Sequence, residues 1–386
     1  KVQTLVLPSE WTAYNAASIF AECTGLLHLT LPSSFGALVD VSYMFANSPN
    51  LDFDFVPTFG NVTTASGLFL GTAISGDVVI TDLANVSDIS YMFSECQHLN
   101  SVTFPATWEI TFAQNLFEGA TVYSITLPDS FYPIASVENM FTGIQGLTSI
   151  TLPLSFGSNL YTVSRLFSYC PSLVEIVFPT TWDIVVNCIN VIMNCESLQT
   201  VTLPSVMGDM STCNSFYVNN PSLETIYNTE ALGSLTNECD FTQFIINCPN
   251  ITSAIRIESK VSVFDLFGFE GTPNAISSIR LTNQNSSFSI GGIDVSYNSM
   301  FKSDIEQLFL DLPCNLAKTI NVSGNPGVDV AITKTVTKIN GSATLNVTGS
   351  AANLVVGSEF IGLNYPNVTF QDAADTVSLS TVSYTH

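Results

Sequence analysis

One spacing constrains this chain more than any other feature: a block of about 24 residues recurs along it. Each block is anchored by a Pro and, about a dozen residues later, a Phe. The Pro stands at Pro8, Pro32, Pro57, Pro105, Pro128, Pro153, Pro179 and Pro204, with Thr81 in the gap. The Phe follows at Phe20, Phe45, Phe69, Phe93, Phe117, Phe141 and Phe167, and Ile192 and Tyr217 continue its column. Self-similarity at a fixed period of about 20–50 residues means a solenoid or a propeller, because one unit cannot bury its apolar face alone.

Within a unit an apolar residue is followed by two others and then by alternation, as in Leu147, Ile150, Leu152 and Pro153, or Leu198, Val201, Leu203 and Pro204. Alternation predicts a strand with one buried face, so Ile150 and Leu152 point inward while Ser149 and Thr151 face solvent. Proline then ends the strand, because it has no N–H for the next ladder bond. Three residues further on comes a large apolar side chain: Trp11, Phe35, Trp108, Phe131, Phe156, Trp182 or Met207. A small apolar residue precedes the Phe by four, as at Val41, Ile89, Val137 and Val163, in a return segment expected to be a short helix or an irregular turn. The expected fold is an α/β or mainly-β repeat solenoid. It is a rod with one parallel β-sheet, its coils about 4.8 Å apart. A mean hydropathy of +0.36 reflects scarce charge, and no apolar run reaches the length of a membrane span, so direct membrane insertion is not expected.

The segments GLTSITLPLSF (146–156), LFSYCPSLVEIVFP (166–179) and MNCESLQTVTLP (193–204) resemble BspA-type leucine-rich repeats, whose unit runs Phe-x-x-Cys-x-x-Leu-x-x-Ile-x-Leu-Pro. The match covers residues 1–228 and continues more loosely through Cys248–Ile257, Phe267–Leu281 and Phe301–Pro313. The resemblance implies a parallel sheet on one side of a curved rod. It also implies a surface protein used for attachment, of the kind found on bacteria, parasitic protists and some virus particles, with no catalytic residues. The chain departs from the family in its Trp and Phe after the Pro and in its very low Lys content.

Nine cysteines invite thoughts of disulfides or metal. Cys23, Cys96, Cys170, Cys195 and Cys248 occupy the family position three residues after the Phe, whereas Cys188 and Cys213 fall in the apolar column four before it. Buried Cys behaves as a small hydrophobe, which is the reading adopted for these seven. Stacked Cys170/Cys195 and Cys188/Cys213 come within the roughly 4.4–6.8 Å Cα range of a bridge, but side chains in a parallel ladder rarely have the right torsion. Cys239 and Cys314 lie outside the pattern, and the chain has no closely spaced Cys/His quartet for zinc.

Charge divides the chain. Residues 1–255 hold 21 Asp and Glu against Lys1 and Arg165, whereas residues 256–386 hold 11 against seven Lys and Arg. Such a surface repels nucleic acid and anionic membrane. The shift sets a soft boundary near 255, giving regular repeats over 1–255, looser ones over 256–313 and a β-rich segment over 314–386. In that last part TINVSG (319–324), TLNVTG (344–349) and NVTFQD (367–372) read as strands at nearly the same period. Either the solenoid continues as degenerate repeats and caps itself, or a small β-domain begins.

No catalytic motif emerges. His28, His98 and His386 have no nucleophile in a local motif, and there is no phosphate-binding Gly-rich loop. No cofactor is expected. Asp52, Asp54 and Asp77 are a weak calcium candidate, better read as a solvated acidic patch. The outward strand column is Val6, Thr30, Phe55, Val79, Thr103, Thr126, Thr151, Val177, Thr202 and Tyr227. A Thr/Val ladder packs across strands and offers a flat uncharged face to a protein or glycan. Thr30, Thr103, Thr126, Thr151, Thr202 and Tyr227 are therefore the candidate contact residues. Ice-binding ladders look similar, but Phe55 and Tyr227, flanked by His28, Asp77 and Glu175, interrupt this one.

Eight Asn-x-Ser/Thr sequons, at Asn61, Asn85, Asn250, Asn285, Asn321, Asn340, Asn346 and Asn367, permit glycosylation in a secretory host. A start inside a repeat strand is expected of a processed or truncated chain, and scarce Lys and Arg would resist trypsin-like proteases. The expectation is a non-catalytic protein, extracellular or on a cell or virion surface, that binds a surface protein or glycan. The alternative is a structural subunit that self-assembles into a virion or filament through its charge-poor flanks.

Overall fold

The computed structural model of the chain describes residues 3–7, 12–53, 56–154, 160–230, 239–257, 261–267, 273–281, 293–311, 319–322, 325–326, 333–339, 342–348 and 368–372. They form two compact units, Lys1–Pro204 and Ser205–His386.

In the first unit the alternating segments are short parallel strands stacked coil upon coil. Thr4–Val6 pairs with His28–Thr30; Ser75–Val79, His98–Thr103 and Ser124–Thr126 form a second sheet; Ser149–Thr151, Glu175–Val177 and Thr200–Thr202 belong to a third. The register aligns like with like. Val78, Val102 and Ile125 make one inward row, and Ile150, Ile176 and Val201 another. The residues that close the strands, Phe104, Leu152 and Phe178, donate their N–H to the carbonyls of Thr126, Val177 and Thr202 at 2.9–3.0 Å. The prolines that follow have no N–H to extend the ladder. Strands this short explain a difference from the sequence reading, which had one parallel sheet. Pairing breaks into several short sheets, and a further pair, Phe167–Ser168 with Ile192–Met193, forms at the Phe position itself.

The Phe column is the axis of this unit. Phe20, Phe45, Phe69, Phe93, Phe117, Phe141 and Phe167 stack in sequence, with successive ring centroids 5.2–6.0 Å apart and ring planes within 18° of parallel. Rings about 4.8 Å apart along the stack meet offset rather than face to face, the arrangement their quadrupoles prefer. Phe53, Phe104 and Phe178 abut this stack at steep angles. The column after the Pro is core as expected: Phe35, Trp108, Phe131, Trp182 and, in the second unit, Met207 are all buried. Trp11 and Phe156 lie outside the described residues.

The return segments are irregular turns. Each carries two residues in the left-handed region, two before and two after the Phe: Tyr43 and Asn47, Gly67 and Gly71, Tyr91 and Glu95, Asn115 and Gly119, Asn139 and Gly143. Asn and Gly recur there because they meet the smallest steric penalty at positive φ. Backbone N–H groups of each turn reach carbonyls of the next coil, as in Phe69 to Met92 at 3.1 Å and Phe93 to Leu116 at 3.0 Å.

In the second unit the parallel run comprises Tyr217–Val218, Cys239–Ile246, Val261–Phe267, Ile293–Asp294 and Thr319–Asn321, with Ile255–Ile257 and Ile279–Leu281 paired separately. Lys302–Asp311, read from sequence as part of a looser repeat, is an α-helix. Its Asp311 receives Arg280 through Nε at 2.5 Å and Nη2 at 2.8 Å. Parallel order ends beyond Thr319–Asn321, where Thr333–Ile339 and Ser342–Thr348 pair antiparallel before Val368–Asp372 returns to parallel. All three late segments singled out by period thus contain strands.

Two stability outcomes follow. Trp108→Ala should lose about 3–5 kcal/mol in denaturant unfolding of the purified chain, as truncation of a packed core aromatic does. Tyr217 occupies the Phe column fully buried among Phe216 and Phe244, and its hydroxyl has no hydrogen-bond partner among the described residues. Tyr217→Phe should therefore leave stability unchanged or raise it by about 1 kcal/mol, read from the same unfolding curve.

Candidate functional site

The candidate contact residues take their places on the strand face. Val79, Thr103 and Thr126 stand in register on one sheet, and Thr151, Val177 and Thr202 on another. Thr30 pairs with Val6. Thr126 and Thr151 are exposed, Thr30, Thr103 and Thr202 half-buried. Tyr227 ends the strand Thr225–Tyr227 of the second unit and is exposed. Phe55 lies outside the described residues.

Beside this uncharged row runs a polar one. Asp77 accepts hydrogen bonds from Ser101 Oγ and Asn100 Nδ2, both at 2.6 Å, which hold its carboxyl below the usual carboxylate range. Asp52 accepts from Ser75 Oγ at 3.0 Å and from the Phe53 N–H at 2.8 Å. The two carboxylates proposed for calcium are thus each engaged by donors from their own or the next coil, and Asp54 lies outside the described residues. Among the described residues no three His, Cys, Asp or Glu are grouped as a metal ion would need. His28 and His98 open strands on this face, and His386 lies outside the described residues.

A second surface, on the turns, was not singled out from sequence. The Tyr43 ring lies on Gly67 of the next coil, so close that a Cβ at Gly67 would sit 2.4 Å from Cδ1 and Cε1. Tyr91, one coil on, has its phenol pushed up by burial and then by the neighbouring Glu118, Tyr43 and Glu138. Glu95 leans over Gly119 in the same way, at 2.4 Å from the position of a Cβ. Tyr123, exposed beside the strand Ser124–Thr126, covers Gly146. For the first two contacts the signal was in the columns two residues either side of the Phe, at Tyr43, Gly67 and Tyr91 and at Glu95 and Gly119.

The family cysteines do structural work. Cys96, Cys170 and Cys195 donate to the carbonyls of Phe69, Phe141 and Phe167 at 3.0, 3.1 and 3.2 Å. In coils without the cysteine, Ser48 Oγ reaches the Phe20 carbonyl at 3.1 Å and Thr72 Oγ1 the Phe69 carbonyl at 2.9 Å. The position thus supplies a small donor to the spine's backbone. Burial pushes the Cys96 thiol up to about 12.

The repeat, its Phe spine and its cysteine donors define a family. A family model for the BspA type leucine rich repeat region matches residues 62–191 and 163–292, with six copies. The chain belongs to the BspA-type leucine-rich repeat family. Two solved structures are similar to this BspA-type chain. One is a leucine rich cell surface protein from Faecalibacterium prausnitzii A2-165, 15% identical, covering 81% of this chain and 86% of that one, with a TM-score of 0.38. The other is a leucine-rich repeat protein from Bacteroides ovatus ATCC 8483, 14% identical, covering 67% and 86%, with a TM-score of 0.23. No curated protein matches the chain. No helix among the described residues is long and apolar enough to cross a membrane.

Gly67→Ala should cost about 1–3 kcal/mol in denaturant unfolding, since it combines a left-handed residue with a clash. In a Tyr43→Ala background the cost should shrink, because only the backbone part remains. Thiol chemistry gives a second check. An unfolded thiol ionises near about 8.5, whereas folded Cys96 stays protonated until about 12. Its contribution to stability is therefore complete below the first value and lost as pH climbs through the second. Unfolding midpoints should fall across that window, and Cys96→Ala should flatten the slope.

Proposed function

We propose that this BspA-type chain is a non-catalytic binding protein displayed outside the cell or on a particle surface, and that its contact surface is the strand face. The observation that carries this reading is the in-register, uncharged ladder of Val79, Thr103 and Thr126 and of Thr151, Val177 and Thr202. Short Thr and Val side chains on paired strands lose little entropy on contact, and their flat array suits a neutral protein surface or the ring face and hydroxyls of a glycan. The strongly acidic balance of the repeats argues for such a neutral partner over nucleic acid or anionic lipid. Family membership supports the surface location, and the repeat supplies area rather than chemistry.

The test is a printed panel of neutral glycans and surface-exposed proteins, probed with the native chain and with a Thr103→Lys, Thr126→Lys, Thr151→Lys, Thr202→Lys variant. The variant should keep its circular dichroism and unfolding midpoint and lose at least about tenfold in affinity for whatever the parent binds, about 1.4 kcal/mol. Undiminished binding would remove the strand face from consideration. Light scattering on the same samples separates this reading from self-assembly, which would appear as mass growing with concentration.

A further inference from the structure

One pair of cysteines does not follow the family pattern. Cys213 occupies the apolar column four residues before Tyr217, and Cys239, outside every column, opens the strand Cys239–Ile246. From Tyr217 to Ile245, its partner in the pairing of Tyr217–Val218 with Cys239–Ile246, the repeat is longer than in the first unit. The added length brings Cys239 in beside Cys213 rather than directly above it. Thr212 and Asp240 form the parallel bridge, and the Cys213 N–H donates to the Asp240 carbonyl at 2.7 Å. The cysteines are therefore diagonal neighbours across one ladder step. Their sulfurs are 3.4 Å apart, and both side chains are fully buried.

The contrast with Cys170 and Cys195 is instructive. Those thiols sit in equivalent positions of adjacent coils and touch each other, but each is also held on a Phe-column carbonyl, Phe141 and Phe167. Cys213 instead meets the Met210 thioether at 3.6 Å, and the closest contact of Cys239 is Cys213 itself. Cys213 and Cys239 are offset by a residue along the ladder rather than stacked in equivalent positions. A bond requires the sulfurs to close from 3.4 Å to about 2.05 Å.

We propose that Cys213 and Cys239 are a disulfide site: an oxidisable staple that joins two successive coils of the second unit. The oxidant is a low-molecular-weight disulfide. One cysteine, as thiolate, attacks it and releases one thiol; the other then attacks the mixed disulfide and releases the second. Two protein thiols become one S–S bond, and the oxidant is reduced by two electrons to two thiols, which carry the two protons away. Because both sulfurs are buried, exchange takes place while the coil is open, during folding or local unfolding. The staple is independent of what the strand face binds.

The test uses the full chain, reduced, denatured and refolded in glutathione buffers of rising oxidised fraction. After acid quench and alkylation in denaturant, chymotryptic peptides ending at Phe216 and Phe241 should appear linked. The linkage should appear at a lower oxidised fraction than any other cystine, with a mass loss of two hydrogens. Oxidation should also raise the urea midpoint of the parent, and Cys213→Ala and Cys239→Ala should each abolish both the linked peptide and the shift. A second arm incubates the native chain with oxidised glutathione in urea below the unfolding transition, so that a variant's refolding defect does not decide the matter. Recovery of both cysteines fully alkylated from natively folded, oxidised protein, or linkage of either one mainly to another cysteine, overturns the proposal.

Discussion

Ring-on-ring contact along the Phe column sets the geometry to which the rest of the first unit conforms. Seven phenylalanines stack with little change in plane from Phe20 to Phe167, so each coil enters at nearly the same rotation and height as the one before. Once that pitch is fixed, the strand residues fall into rows and the aromatics after each Pro close the other side. Phe104 shows the coupling, for it meets Phe93, Phe117 and Trp108 together and so ties strand, spine and Pro-side column into one packed cross-section.

An apolar axis of this kind brings backbone with it, and buried backbone must be paired. The chain meets that demand in two ways. Turn N–H groups bond to carbonyls of the next coil, and in several coils a small side chain three residues past the Phe adds a bond to a spine carbonyl. Cys, Ser and Thr supply that donor in several coils, whereas Ala120 and Ile144 fill the same position with apolar bulk alone. The cysteines of this family position need be neither reactive nor bridged to matter.

Much of this was legible in the sequence because its periodic signals are apolar. The Pro, the Phe, the alternating strand and the large residue after the Pro all gave correct burial, from Ile150 and Leu152 to Trp108 and Trp182. Two things escaped. The division into several sheets depends on how many ladder bonds a three-residue strand retains, which hydrophobic period does not encode. The turn surface around Tyr43 and Tyr91 depends on positive φ and on which direction a side chain leans. The helix Lys302–Asp311 was hidden by an apolar spacing compatible with either element. For the strand face, the sequence predicted the rows, and the register aligns them within each sheet; what docks there is a matter of chemistry between surfaces.

The lean of Tyr43 over Gly67 gives the first unit a grammar longer than its repeat. Tyr43 at one turn requires a bare residue at the next, so Tyr43 and Gly67 form a unit of two coils rather than one. Excising the coil that holds Gly67 would set Tyr43 against Tyr91, although the strand and spine columns would rejoin without a fault. The first unit is therefore not freely shortened by one repeat at this point: the coils of Tyr43 and Gly67 are kept or lost together.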